Sequence, residues 1–277
     1  MQGEGAIVLT KSGKPVTVVR KPTLIGSWHG RDAIRQGFRV MVSILFVSFL
    51  YVALSLLLSF DVLVLRVLTG MVLVSIAMFY LYTQGVAVGQ NDAAFGEIMY
   101  LRQAEGKAIS TADMQRCFHP FKGLCSALIG ALPYVLLALP FALTTTAETY
   151  TLGVLPSWMA PYTHQSGIGD ALAFYAQRSG IGLMTVMRIA VRSMTMPFIQ
   201  VALAMGRDAV LLAERLTPLW VLVAPVGYAL GYAQGINVRA RVNTGIAIGD
   251  QRKKHKARKE QRARQAQAQS RDGNRLI

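Results

Sequence analysis

The chain has 277 residues, 53% of them hydrophobic and only 16% charged, with a formal net charge of +15. Soluble domains carry about 25% charged residues, so this composition, with a mean hydropathy of +0.39, excludes an ordinary soluble domain and points to one bundle of membrane helices. The charge sits at the ends: +5 over residues 1–39, +1 over 40–237 and +9 over 238–277, a topology signal before it is a ligand signal.

Residues 1–22 hold two β-branched runs, IVLT and PVTVV, around KSGK, the pattern of a short hairpin. Ser12–Gly13–Lys14 lacks the spacing of a phosphate loop, and Pro15 follows the lysine. Residues 23–39 contain Trp28, His29, Arg31, Arg35 and Arg39. The arginines recur every four residues and form a basic ramp into the first span, so 1–39 reads as a cytoplasmic segment.

A hydrocarbon core about 30 Å thick takes roughly 20 helical residues to cross. Spans are expected at about 40–60, 62–84, 124–143 and 217–235. The first is too long and begins too late for a cleavable signal. Ser59–Asp61 implies a tight hairpin between the first two. Arg66 is placed to snorkel to the near interface, and Tyr80 and Tyr82 mark the far one.

Residues 86–122 read as a polar loop in which Asn91 or Asp92 caps a short helix through Gln103. A second short helix opens at Ser110, with Asp113 three positions on, and stops at Pro120. In the third span Pro133 and Pro140 share a face, and Gly123, Ala127 and Ala131 repeat every four residues, which allows close helix contact. Residues 145–179 follow a threonine cluster that begins at Thr144. With Thr145, Thr146, Tyr150, Trp158, Tyr162 and Tyr175 against only Glu148, Asp170 and Arg178, they read as a loop held at the bilayer surface or lining a vestibule.

Residues 181–204 are long and apolar enough to span, yet carry Arg188 and Arg192 on one face near Thr185 and Thr195, with Pro197 as a bend. Two readings stand. As an interfacial helix its arginines contact lipid headgroups; as a fifth span they line a substrate path or pair with Asp208 or Glu214. A short helix is expected from Arg207 to Arg215. The last span carries Gly227, Gly231 and Gly235, two overlapping GxxxG units that read as a helix-packing stripe.

The tail, 236–277, is basic and polar, with Arg252, Lys253, Lys254, Lys256, Arg258 and Lys259 at its centre. Its residues favour helix, with Asp250 as a possible cap. It reads as a positive-inside anchor, a contact for anionic lipid, or a backbone-level contact for nucleic acid or a ribosome. It has no aromatic residue on which bases would stack.

No catalytic set emerges. His29, His119, His164 and His255 lack metal-site spacing, Cys117 and Cys125 form no CxxC, and no serine sits in a G-x-S-x-G elbow. Cys117 and His119 lie close in sequence, but no orienting third group is identifiable. No cofactor or metal is expected. Basic ends on the cytoplasmic side require an even number of crossings, hence four spans with 181–204 along the outer interface. The expected fold is all-α, a multi-pass integral membrane helical bundle. The expected function is a non-enzymatic subunit of a transport or envelope complex in a bacterial cell membrane, partnered by lipid and other membrane helices. The rivals are a small permease using Arg188 and Arg192, and a scaffold tethering ribosomes or anionic lipid through the tail.

Overall fold

The computed structural model describes residues 7–9, 15–17, 19–58, 60, 62–146, 155–176 and 182–273. Ser12–Gly13–Lys14, Ser59, Asp61, Glu148, Tyr150 and Arg178 lie outside the described residues, as do the side chains of Tyr175 and of the tail beyond Gln261.

The chain is an all-α, multi-pass membrane helical bundle. Two short strands, β1 (Ile7–Leu9) and β2 (Pro15–Thr17), pair antiparallel with Val8 opposite Val16. The helices follow: α1 (Arg31–Leu57), α2 (Leu63–Ala104), α3 (Thr111–Arg116), α4 (Lys122–Thr144), a 3₁₀ helix (Ser157–His164), α5 (Gly169–Ala176), α6 (Leu183–Met194), α7 (Met196–Met205), α8 (Arg207–Arg215) and α9 (Thr217–Gly273). Among the described residues α1, α2, α4 and α9 are long and apolar enough to cross a membrane.

The side-chain pattern is that of a bilayer protein. On α4, Leu124, Leu128, Leu132, Leu136, Leu139 and Leu143 face outward while Ala127, Ala131 and Ala138 are buried. On α1, Phe38, Val42, Leu45, Phe46 and Phe49 face outward while Val40, Ile44, Val47 and Tyr51 are buried. Water would not tolerate such a continuous exposed apolar surface. Lipid does, and small residues then sit where helix backbones must approach.

Three elements depart from the expected boundaries. Residues 86–104 are no loop with its own capped helix: α2 runs unbroken to Ala104, about 63 Å at 1.5 Å per residue. Asp250 caps nothing, because α9 passes through it. Residues 183–205 form neither one straight span nor one surface helix: α6 and α7 meet at Thr195 with a bend of 102°. Pro197 sits in the first turn of α7, where its missing N–H costs nothing. Gly206, at φ 113°, turns α7 into α8 through a conformation other residues avoid.

The chain divides into two compact units. One comprises Ile34–Leu81 and Leu124–Tyr228. Its cores are Val47, Tyr51, Leu73 and Ala77, and separately Ile199, Ala202 and Ala213. The Tyr134 hydroxyl donates to the Met41 carbonyl at 2.7 Å, and Gln200 Nε2 donates to the Ser55 carbonyl at 2.6 Å. The other unit comprises Met1–Ala33, Tyr82–Gly123 and Ala229–Ile277. Its core is Ala93, Phe118 and Tyr232, with the Phe118 and Tyr232 rings stacked 5.2 Å apart. An extended strap lies across it, with the Leu24 N–H donating to Gly96 O and the Gly26 N–H to Phe118 O. The Ser110 side chain caps α3 by accepting from the Asp113 N–H at 3.1 Å.

Candidate functional site

In the Ile34–Leu81 and Leu124–Tyr228 unit, helical periodicity stacks Arg188 over Arg192 on α6. Both reach Glu214 on α8. Arg192 donates through Nε at 2.8 Å and Nη2 at 2.6 Å, and Arg188 Nε lies 3.4 Å away. Thr145, just past α4, donates to the other carboxylate oxygen at 2.8 Å. Arg188 Nη2 also donates to Thr145 Oγ1 and to the Thr146 carbonyl. The Glu214 side chain is 2% exposed, so its charge is fully sequestered and met by two guanidiniums and a hydroxyl. Such a cluster ties α4, α6 and α8 together. Removing one member of a buried ion pair strands the others at a cost of about 3–5 kcal/mol. Asp208, the other acid considered for the arginines, is exposed on α8.

In the other unit a second buried cation was hidden in the sequence. Lys122 opens α4, and its side chain is only 1% exposed. Its Nζ meets Asp32 Oδ2 at 2.6 Å, Asp92 Oδ2 at 2.7 Å and the Gln115 carbonyl at 2.8 Å. The Tyr232 hydroxyl donates to the same Asp92 oxygen at 2.7 Å. One ammonium thus joins the starts of α1 and α4 to α2, and through the Asp92 carboxylate to Tyr232 of α9. The sequence marked Asp92 only as a cap for a short helix, beside Gln90 and Asn91.

Further along this unit Arg239 grips Glu97. Its Nε lies 3.2 and 3.1 Å from the two carboxylate oxygens and its Nη2 donates at 2.8 Å. Asn243 Nδ2 donates to Glu97 Oε1 at 2.6 Å. Burial alone would raise the Glu97 pKa. The hydrogen bonds from Arg239 and Asn243, with the charges of Arg239 and Lys21, outweigh it and hold the carboxyl below its ordinary value. A small cavity of about 130 Å³ adjoins the pair, lined also by Arg20, Lys21 and Thr23.

The glycine stripe lies against α2. A Cβ on Gly227 would come 2.6 Å from the Met78 carbonyl oxygen. One on Gly231 would collide with the Tyr82 carbonyl, and one on Gly235 with the backbone of Gly89. Gly89 answers from α2, where a Cβ would strike the Tyr232 carbonyl. The spacing therefore lets two backbones touch.

Arg252, Lys253, Lys254, Lys256, Arg258 and Lys259 all lie on α9 and are all exposed. They meet none of the buried clusters.

Cys117 and His119 are both held in local contacts. Cys117 is fully buried, its Sγ donates to the Asp113 carbonyl, and burial pushes the thiol up to about 11. His119 Nδ1 accepts from the Phe121 N–H. No nucleophile–base pair arises from these partners. Among the described residues no three His, Cys, Asp or Glu side chains form a metal-binding group.

One apolar groove stands out in the Ile34–Leu81 and Leu124–Tyr228 unit. It has a volume of about 560 Å³ and is walled by α2, α7, α8 and the start of α9, with Met71, Val201, Met205, Leu212 and Trp220 among its lining. Phe198 and Trp220 stack 4.4 Å apart at one side. No family model matches the chain, and no curated protein or solved structure shows significant similarity to it.

Proposed function

We propose that this protein is a non-enzymatic subunit of a membrane transport or envelope complex, with both termini cytoplasmic. The observation that carries the reading is the apolar groove of about 560 Å³ between α2, α7, α8 and α9. Its walls are helices, and the occupant that fits is an apolar helix of a partner protein. Membrane helices associate by shape complementarity and small residues, because lipid offers no hydrophobic drive toward pairing. Gly70, Ala202, Ala209 and Ala213 supply small residues in that wall. A permease using Arg188 and Arg192 draws less support, because both guanidiniums are engaged by Glu214 and the Thr145–Thr146 segment.

The test fills the groove. Ala209→Trp and Leu212→Trp, at a half-buried and an exposed position of the groove, are compared with Leu136→Trp on the outward face of α4. The protein extracted gently from its native membrane is sized under native conditions. Wild type and the Leu136 variant are expected in one discrete heavy assembly, from which both groove variants dissociate while keeping their helical content. An assembly unchanged by either groove variant would refute the reading.

A further inference from the structure

Lys, Arg, Gln and Ala are good helix formers, and α9 accordingly continues without interruption from Thr217 to Gly273. Its direction is fixed for the first part of the unit that holds the tail. Gly231 and Gly235 lie on Tyr82 and Gly89, Arg239 and Asn243 hold Glu97, and Thr244 Oγ1 accepts from the Val19 N–H at 2.9 Å. Beyond that clamp every residue from Asp250 to Gln261 is exposed. The helix leaves the unit as a free-standing arm.

The length of that arm limits its partner. The apolar part of α9 ends near Gly235. At 1.5 Å per residue, Arg252 lies about 26 Å beyond Gly235 along the axis and Lys259 about 36 Å. The headgroup layer on one side of a bilayer is only about 5–7 Å thick. Electrostatic attraction fades over a Debye length of about 8 Å at physiological ionic strength. A tilt of about 40°, the upper end for membrane helices, still leaves Arg252 about 20 Å out. The bilayer that α9 crosses is therefore out of reach of these cations.

The surface itself narrows the choice further. At about 100° per residue, Arg252, Lys253, Lys254, Lys256, Arg258 and Lys259 are distributed around the whole helix. They form no stripe for one flat acidic face. Residues 250–261 include Arg252 and Arg258 but no aromatic or large apolar side chain, so they lack the packed anchors at the centre of protein–protein interfaces. Repeating phosphates ask for no such anchor, because their binding is driven by counterion release.

We infer that the α9 arm binds the phosphate backbone of a nucleic acid in the cytoplasm, clear of the membrane and without reading base sequence. The inference rests on α9 crossing the bilayer with its tail inside, and is independent of what fills the apolar groove.

The test uses the full chain in nanodiscs of neutral or of partly anionic lipid. Fluorescent single-stranded RNA, single-stranded DNA and duplex DNA are titrated in, each in scrambled sequences. Binding is expected to all scrambled sequences alike and to weaken about 10²- to 10³-fold between about 50 and about 200 mM salt, most for the duplex. Changing Arg252, Lys253, Lys254, Lys256, Arg258 and Lys259 to Gln is expected to weaken it at least about tenfold, because each neutralised phosphate adds to the salt slope. The relative strength of the three probes identifies RNA or DNA as the source. Collisional quenching of a fluorophore at residue 257 by spin labels on the headgroups, which requires contact, is expected to be low on both disc types. Strong quenching on anionic discs, or nucleic-acid binding untouched by the Gln variant, overturns the inference. A reporter after Ile277 that proves external would instead refute the topology beneath it.

Discussion

Arg239 and Glu97 form a two-pronged pair across the α2–α9 contact, with the Arg239 Nη2 only 2.8 Å from Glu97 Oε2. Both sit beyond the apolar parts of their helices, so the pair works where water and pH reach. The Glu97 carboxyl is held below its ordinary value of 4.5. A depressed carboxyl stabilises the fold above its unfolded pKa and loses that contribution as pH falls through the folded one. Thermal melting in detergent is expected to show a destabilising step below about pH 4.5 that is missing in Glu97→Gln. At neutral pH that variant is expected to be less stable by about 3 kcal/mol, because it strands Arg239. An identical acid profile in the variant would show that Glu97 is not the titrating group.

Lys122 lies between Asp32 and Asp92 and pairs with both. Lys122→Met is expected to cost about 3–5 kcal/mol by leaving the carboxylates without their partner. Tyr232→Phe removes one hydrogen bond to Asp92 and is expected to cost about 1.5–3 kcal/mol. Chemical denaturation of the purified protein ranks the two, and equal stability of Lys122→Met and wild type would contradict the geometry.

Gly231 and Gly245 lie on the same helix and are expected to respond oppositely. A Cβ at Gly231 meets the Tyr82 carbonyl, whereas one at Gly245 meets nothing within 4 Å. Gly231→Ala is expected to destabilise and Gly231→Leu to abolish the folded peak in size exclusion. Gly245→Ala is expected to stabilise by about 0.5–1 kcal/mol through helix propensity. A tolerated Gly231→Leu would mean that α2 and α9 do not touch there.

Glu214 anchors both Arg188 and Arg192. Glu214→Gln is expected to destabilise by about 3–5 kcal/mol and to expose the α6–α7 bend to protease. Arg188→Met combined with Glu214→Gln is expected to recover part of the loss, because fewer charges remain stranded. Equal or greater loss in the double variant would count against an ion-pair role.

The topology is tested by a reporter fused after Ile277. The proposed topology, with basic ends and four crossings, expects it in the cytoplasm. External activity would require an odd number of crossings, with the bent α6–α7 pair as the added one.

Much of the bundle was legible in the residues themselves. Runs such as 40–60 and 124–143 exceed what any soluble core needs, and hydrocarbon thickness converts them directly into spans. The Gly227–Gly231–Gly235 spacing is legible as a stripe of small residues because only a missing side chain lets backbones touch. Arg188 and Arg192 drew notice because ionised groups in an apolar run are costly. What the one-dimensional pattern could not supply was the partner of each polar group. Asp92 and Glu97 looked like signs of a loop, yet both are interior positions of α2. Lys122 and Arg239 come from far along the chain to meet them. Glu214 likewise becomes the centre of a buried cluster only because α6 doubles back by 102° at Thr195. Transfer energies act on each residue where it stands, so hydropathy and charge along the chain mark the helices apolar enough to span and the basic end of α9. Charge pairing acts across space, so only the tertiary structure decided which polar residues were structural and where the polar helices continued.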